Sequence, residues 1–159
     1  MTPIEVLRQF PPHDGSLAGL CASRASRNGD RPFLLFEGET IAWSELEPRV
    51  QRAAAAYAAL GVGSGDRVAT YAPTRPDIVI TLLALARLGA WMVPVNPDLR
   101  VDEVRYIFEH AGVSGIACAR ATASSALQAA ANLRPAPWRI LLEPAGADGL
   151  PALAELGAR

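Results

Sequence analysis

Apolar and polar positions change their spacing along the chain, and each change marks a predicted element. Residues 33–43 hold two short apolar runs around a Glu-Gly pair, which predicts a β-hairpin. From Ser44, apolar residues recur at helical spacing until Gly61, a residue suited to the left-handed backbone that ends a helix. Ser44 and Glu47 have the spacing of a capping box. The inward face of this helix is predicted to comprise Leu46, Val50, Ala53, Tyr57 and Leu60.

Strand-like and helix-like segments then alternate as far as Glu143. Strands separated by single helices run parallel, because each crossover returns the chain to the same edge of the sheet. The predicted fold class is therefore α/β, a parallel sheet flanked by helices, with the amino-terminal hairpin. The helix over 76–89 is apolar almost all round and is expected to be deeply buried. The predicted strands are 67–73, 90–96, 115–119 and 138–143, and the other predicted helices are 101–112 and 122–133.

The chain divides by composition into three parts. Residues 1–30 are predicted to be an irregular lead-in with a short helix over 16–27. Residues 31–143 form the predicted α/β subdomain. Residues 144–159 are rich in Gly, Ala and Pro and are predicted to be a linker-like tail with at most one helical turn.

Charge and cysteine content limit the possible partners. The formal net charge is −1 and the basic residues form no run, so nucleic acid and anionic membranes gain no electrostatic attraction. The two cysteines, Cys21 and Cys118, lack the spacing of metal ligands. We expect them to be buried or unreactive thiols in a reducing compartment.

A membrane span is not expected, although residues 78–95 are nearly all apolar. Arg87 lies inside this stretch, and Gly89 and Pro94 interrupt it, so a buried helix followed by a buried strand explains it better. The first residues also lack the pattern of a signal peptide. A cytoplasmic location is expected.

Motifs with a known chemistry are scarce. Residues 61–66, GVGSGD, look like a phosphate-binding glycine loop, but they follow a helix and open a strand, whereas a dinucleotide loop does the reverse. We interpret them as a structural turn. His13 and His110 have no placed carboxylate or thiol partner. The sequence therefore predicts no catalytic residue and no metal site.

Residues 40–119 resemble the amino-terminal part of the AMP-forming acyl-CoA synthetases, in the adenylate-forming ligase superfamily. The matching segments are 40–46, 61–68 and, above all, 85–96, which reads LARLGAWMVPVN. Their order and spacing agree with the family. One departure is local: the family usually has Pro-Asn after the first parallel strand, and residues 73–74 are Pro-Thr.

For a complete enzyme, the resemblance implies a ligase that joins a carboxylic acid to AMP and then to CoA, with ATP, magnesium and CoA as cofactors. The family's phosphate loop and its lysines lie further along the chain. The 159 residues contain no lysine, all 15 basic residues being arginines, so no catalytic or cofactor-binding residue is carried over. We expect the chain to stop before that loop, to bind no cofactor alone, and to be non-catalytic. Its expected partners are the remainder of the ligase or a second copy.

Four residues are candidates for the edge of a ligand cleft, because open α/β sheets bind ligands beyond the carboxyl ends of their strands. Two interpretations of the asparagine among them stay open: a turn residue between prolines, or part of the wall of a nucleotide or acyl cleft. An alternative function for the whole chain is a stand-alone, non-catalytic binding module. The acid cannot be identified. The four candidates are Thr74, Arg75, Asn96 and Arg100.

Overall fold

A computed structural model describes residues 2–7, 15–143 and 150–156. The helices are α1 (Pro3–Leu7), α2 (Leu17–Asn28), α3 (Trp43–Ala59), α4 (Pro76–Arg87), α5 (Val101–Ala111), α6 (Ala123–Ala130) and α7 (Leu153–Leu156). The strands are β1 (Pro32–Phe36), β2 (Glu39–Ala42), β3 (Arg67–Tyr71), β4 (Trp91–Val95), β5 (Gly115–Cys118) and β6 (Trp138–Leu141), and a 3₁₀ turn at Arg120–Thr122 precedes α6. His13 and parts of the predicted tail lie outside the described residues.

The main sheet has four parallel strands in the order β4-β3-β5-β6, and β1 and β2 form a separate antiparallel hairpin. The predicted fold class is thereby confirmed. The hairpin turns at Glu37 and Gly38, both with positive φ, which matches the twist of a two-residue hairpin loop.

Two apolar cores cover the two faces of the sheet. The first lies against α3 and α4 and includes Tyr57, Val68 and Leu85. The second lies against α5 and α6 and includes Tyr71 and Phe108. Side chains of β3 enter both cores, because successive residues of a strand point to opposite faces. Five of the twelve residues of α4 are buried and the others are half-buried, except Leu82, which is 37% exposed, so the helix is less deeply buried than expected.

The predicted capping box of Ser44 and Glu47 is wrong. The helix α3 begins at Trp43, directly after β2, and the Glu45 carboxylate accepts the N–H of Ala42 at 2.9 Å. The Ser44 hydroxyl instead donates to Asp30 at 2.9 Å. The strand leads into the helix without a loop, so the acid that caps the first turn lies two residues earlier than expected.

Residues 150–156 pack onto the subdomain. Ala152 forms an isolated parallel bridge with Leu141, and the Leu141 N–H donates to the Pro151 carbonyl at 2.9 Å. Leu153, in α7, is buried in the core beside α3. The later part of the predicted tail therefore contributes to the core.

None of the helices in the described residues has both the length and the apolar character that crossing a bilayer requires.

Candidate functional site

The strand order creates a switch point between β3 and β5. From β3 the chain passes through α4 to β4 on one side, and from β5 it passes through α6 to β6 on the other side, with α4 and α6 on opposite faces of the sheet. Loops that leave neighbouring strands in opposite directions open a crevice beyond their carboxyl ends, where open α/β sheets bind ligands.

A cleft of about 550 Å³ lies at this switch point. Its walls come from the loops after β3 and β5, the end of β6, the hairpin turn and the first half of α3. Two of the four candidate residues, Thr74 and Arg75, line it. The complete lining is Phe36, Glu37, Glu39, Arg49, Pro73, Thr74, Arg75, Pro76, Asp77, Ala119, Ala121 and Glu143.

Arg75 crosses the cleft and ties its walls together. Its Nε and Nη2 lie 2.8 and 2.7 Å from Asp77 Oδ2, and its Nη1 contacts Glu143 at the end of β6. The other carboxylate oxygen of Glu143 accepts the N–H of Arg120 at 2.9 Å. Burial lowers the pKa of Arg75, but the hydrogen bonds and charges of Asp77 and Glu143 outweigh it and raise the pKa above its ordinary value. The guanidinium is thus charged and already neutralised by two acids.

The lining carries more negative than positive charge. Four carboxylates face two guanidinium groups, and the second guanidinium, that of Arg49, pairs with Glu39 at 3.1 Å. A polyphosphate brought to this cleft would meet an excess of negative charge and no unpaired guanidinium in its lining.

Asn96 and Arg100 lie on the neighbouring loop, after β4, and neither lines the cleft. Both are exposed. The Asn96 side-chain oxygen accepts the N–H of Asp98 at 3.0 Å, an Asx turn, and the Arg100 N–H donates to Glu103 at 2.8 Å. The four candidates therefore separate into two pairs, and a functional role for either pair stays a prediction.

Five charged residues of the cleft were missed from the sequence: Glu37, Glu39, Arg49, Asp77 and Glu143. The hairpin and α3 precede the sheet in the chain, so nothing in their spacing indicates that they close over its edge. Glu143 did carry a signal. It ends the fourth predicted strand, and the carboxyl ends of parallel strands meet at one edge.

The glycine loop at 61–66 lies before β3, at the opposite edge of the sheet from the cleft. The Gly63 N–H donates to Asp66 at 2.8 Å, and the Gly65 N–H donates to the Gly89 carbonyl at 2.9 Å. These amides already have partners within the fold, as expected of a structural turn.

The remaining reactive side chains lie apart from one another. Across the described ranges, no cluster of three or more His, Cys, Asp or Glu is arranged to hold a metal ion. His110 stacks on Tyr106, with ring centroids 5.5 Å apart. Cys21 and Cys118 are free and buried, and burial, with a contribution from Glu143, raises the pKa of Cys118 to about 12.

Comparisons with known proteins by sequence and by structure agree with one another on the family. The sequence profile described as "AMP-binding enzyme" matches residues 21–154. Acetyl-coenzyme A synthetase of Streptomyces avermitilis is 47% identical over 68 residues, which are 40% of this chain and 10% of that protein. Surfactin synthase subunit 1 of Bacillus subtilis is 28% identical over 101 residues, 64% of this chain and 3% of that protein.

Among solved structures, a benzoate CoA ligase from Burkholderia xenovorans superposes with a TM-score of 0.79 at 18% identity. The match covers 90% of this chain and 28% of that one. At this identity the likeness concerns the fold. The chain thus spans about a tenth of the acetyl-coenzyme A synthetase and under a third of the benzoate ligase.

Proposed function

Because the chain belongs to the AMP-binding enzyme family, we propose that it forms the first subdomain of a longer acid–CoA ligase. In the proposed reaction a carboxylate attacks the α-phosphorus of ATP, pyrophosphate leaves, and the CoA thiol then displaces AMP from the acyl carbon. ATP, magnesium, CoA and a carboxylic acid are the proposed reactants and cofactors. The acid itself is not identified, and a cytoplasmic location stays a prediction.

The family match over residues 21–154 carries this proposal. Two further observations support it. The curated relatives include acetyl-coenzyme A synthetases and a crotonobetaine/carnitine–CoA ligase, and the fold superposes on the benzoate CoA ligase over nine-tenths of this chain. Each of these relatives is several times longer than the matched part.

We also propose that the 159 residues alone are not a catalyst. Adenylation places negative charge on the α-phosphate, which requires preorganised cations or amide donors and a metal ion in a site closed to water. The cleft at the switch point has an excess of carboxylates, and Arg75, its central cation, is held by Asp77 and Glu143. The sequence contains no lysine to add another cation.

The activity test uses the purified 159-residue chain beside the longest polypeptide that its gene produces. ATP–magnesium is titrated into each by calorimetry, and pyrophosphate release is measured over a panel of carboxylic acids with CoA. We expect acid-dependent release from the longer protein and none from the 159 residues. Saturable micromolar ATP binding by the 159 residues would overturn the non-catalytic proposal.

The size of the natural protein tests the proposal that these residues are part of a longer ligase. An antibody raised against the 159 residues is used to probe an extract of the source cells. We expect a band far larger than 16.8 kDa, the mass of these residues. A band at 16.8 kDa with no longer product would favour the stand-alone binding module instead.

A further inference from the structure

Three of the four outer strand edges in the described residues carry features that hinder pairing with another strand. The first is the outer edge of β4. The Trp91 N–H donates to Asp66, beside β3, so Val93 and Val95 also face β3, and the nitrogen of Pro94 lies on the outer side. A proline there removes the hydrogen-bond donor that a further strand would need, a common protection of sheet edges.

The second and third edges are occupied by this chain's own groups. At the outer edge of β6, the Leu141 N–H donates to Pro151. At the outer edge of β2, the Ala42 N–H donates to the Glu45 carboxylate. Glu39 adds a charge to β2. Each of these two edges is therefore partly occupied by groups of this chain.

The outer edge of β1 has no such protection among the described residues. The strand reads PFLLF, with no charged residue and with proline only at its first position. Phe36 pairs with Glu39 across the two-residue turn, so Leu35, opposite Thr40, belongs to a pair whose amide and carbonyl groups point away from each other. The Leu35 side chain is 71% exposed. Both its main chain and its side chain are thus open to another strand.

A two-stranded hairpin is marginal by itself, and this one is stabilised by packing on α3 through the buried Ile41. A third strand would stabilise it further. We propose that β1 receives an extended, apolar strand from the continuing part of a longer ligase chain. The added strand forms main-chain hydrogen bonds to Leu35 and covers its side chain. This inference rests on the proposed function, since it requires that longer chain.

The size of the edge decides between a tethered strand and a second copy. A five-residue strand offers much less than the roughly 1,600 Å² of a standard stable interface, so pairing between two free copies would be weak. A strand in the same polypeptide binds at a high effective concentration and needs no large interface. The occupant is therefore part of the same chain.

Hydrogen exchange read by mass spectrometry tests this pairing. Peptides covering residues 33–36 are compared between the 159-residue chain and the longest polypeptide from the same gene. We expect the Leu35 amide to exchange at least ten-fold more slowly in the longer protein. The amide of Ile116, in the central strand β5, serves as the control and should be protected in both.

A matched pair of variants adds a second readout. In the longer protein, Leu35→Lys is expected to lower the melting temperature and restore fast exchange at residues 33–36, while Leu82→Lys, at an exposed leucine of α4, leaves that exchange slow. In the 159-residue chain, Leu35→Lys should not change the melting temperature.

The outcomes separate this inference from the proposed function. A longer protein that releases pyrophosphate but exchanges Leu35 as fast as the 159 residues would overturn the inference alone. A longer protein with slow exchange and no ligase activity would overturn the function alone. Slow exchange in the 159-residue chain, as a monomer or as a dimer by sedimentation, would mean that another segment or a second copy covers β1. Absence of any longer product would overturn both.

Discussion

The indole of Trp138 lies against the backbone of Gly115, its register partner on the neighbouring strand, so closely that no Cβ fits between them. A Cβ built on Gly115 would fall 1.9 Å from ring atom Cε2 and 2.1 Å from Cζ2. The same ring lies 6.0 Å from that of Tyr57 in α3. Gly115 therefore allows a large aromatic side chain to fill the space between the sheet and α3.

Gly115→Ala should lower the free energy of unfolding by about 1–3 kcal/mol, because the added methyl group forces the indole or the strand to move. Urea denaturation followed by circular dichroism measures the change. Gly63→Ala is the matched control, since a Cβ there meets no atom within 4 Å and its φ is not positive. Equal stability of the two variants would show that the indole moves at no cost.

Removing the ion pair of Arg75 and Glu143, which joins the carboxyl ends of β3 and β6, should lower the free energy of unfolding. The two side chains are 25% and 22% exposed, so solvent screens their attraction only in part. We expect a coupling energy of about 1 kcal/mol from the double-mutant cycle of Arg75→Ala and Glu143→Ala, measured by urea denaturation. The cycle of Arg105 and Asp102, an exposed pair on α5, is the control and should show little coupling. Additive effects for Arg75 and Glu143 would contradict the prediction.

Stability should fall as the pH rises above 9. Burial raises the pKa of Cys118 from its ordinary 9.0 to about 12, so between these values the unfolded chain releases a proton that the folded chain keeps. The free energy of unfolding therefore has its full value below pH 9 and decreases by up to about 1.4 kcal/mol per pH unit above it. Cys118→Ala should therefore show a shallower decline than the parent chain in urea denaturation from pH 7 to 11.

Tyr57 also contributes to the loss of stability, at higher pH. Burial raises its pKa above the ordinary value of 10.0, so its share of the decline begins above pH 10, and Tyr57→Phe should remove that share. Parallel curves for the parent chain and both variants would exclude the two groups as the cause.

Asn96→Ala should lower stability by about 0.5–1 kcal/mol, because the Asp98 N–H loses the side-chain acceptor of the Asx turn. Asn96→Asp keeps an acceptor at that position and should retain most of the stability. In the longer ligase we expect the Michaelis constants for ATP, acid and CoA to stay unchanged. A raised Michaelis constant at normal stability would instead support a place on the wall of a cleft.

The parts of the fold set by local spacing could be predicted from the sequence. The hairpin, the alternation of strands and helices, and the helix ends at Gly61 and Gly112 all depend on residues within a few positions of one another, and both glycines have positive φ. The start of α3 was mispredicted because two residues could precede its first turn, Ala42 and Ser44. Each has an acid three residues later, Glu45 or Glu47. Only the end of β2 decides between them, and that end is set by pairing with β1.

The candidate site was predictable in place but not in composition. The edge of the sheet follows from the parallel strands, so Thr74 and Arg75 could be predicted to lie there, and both line the cleft. Their functional role stays a prediction. The pairing of Arg75 with Glu143 could not be predicted, because Glu143 is 68 residues away in the chain and reaches Arg75 only across β5. Asn96 and Arg100 were grouped with them because both follow a strand, and the structure places them on a separate loop.

The position of β3 between β4 and β5 also sets the order in which the sheet is assembled during synthesis. Once Val95 has left the ribosome, β3 and β4 can pair through α4, but the other side of β3 stays open until β5 follows. At 5–20 residues per second this interval lasts roughly one to five seconds. During it, the open side of β3, four of whose five residues are buried in the finished sheet, is available to other nascent chains. Synonymous codons that slow translation between Val95 and Cys118 should therefore reduce the soluble yield more than the same codons placed after Leu141.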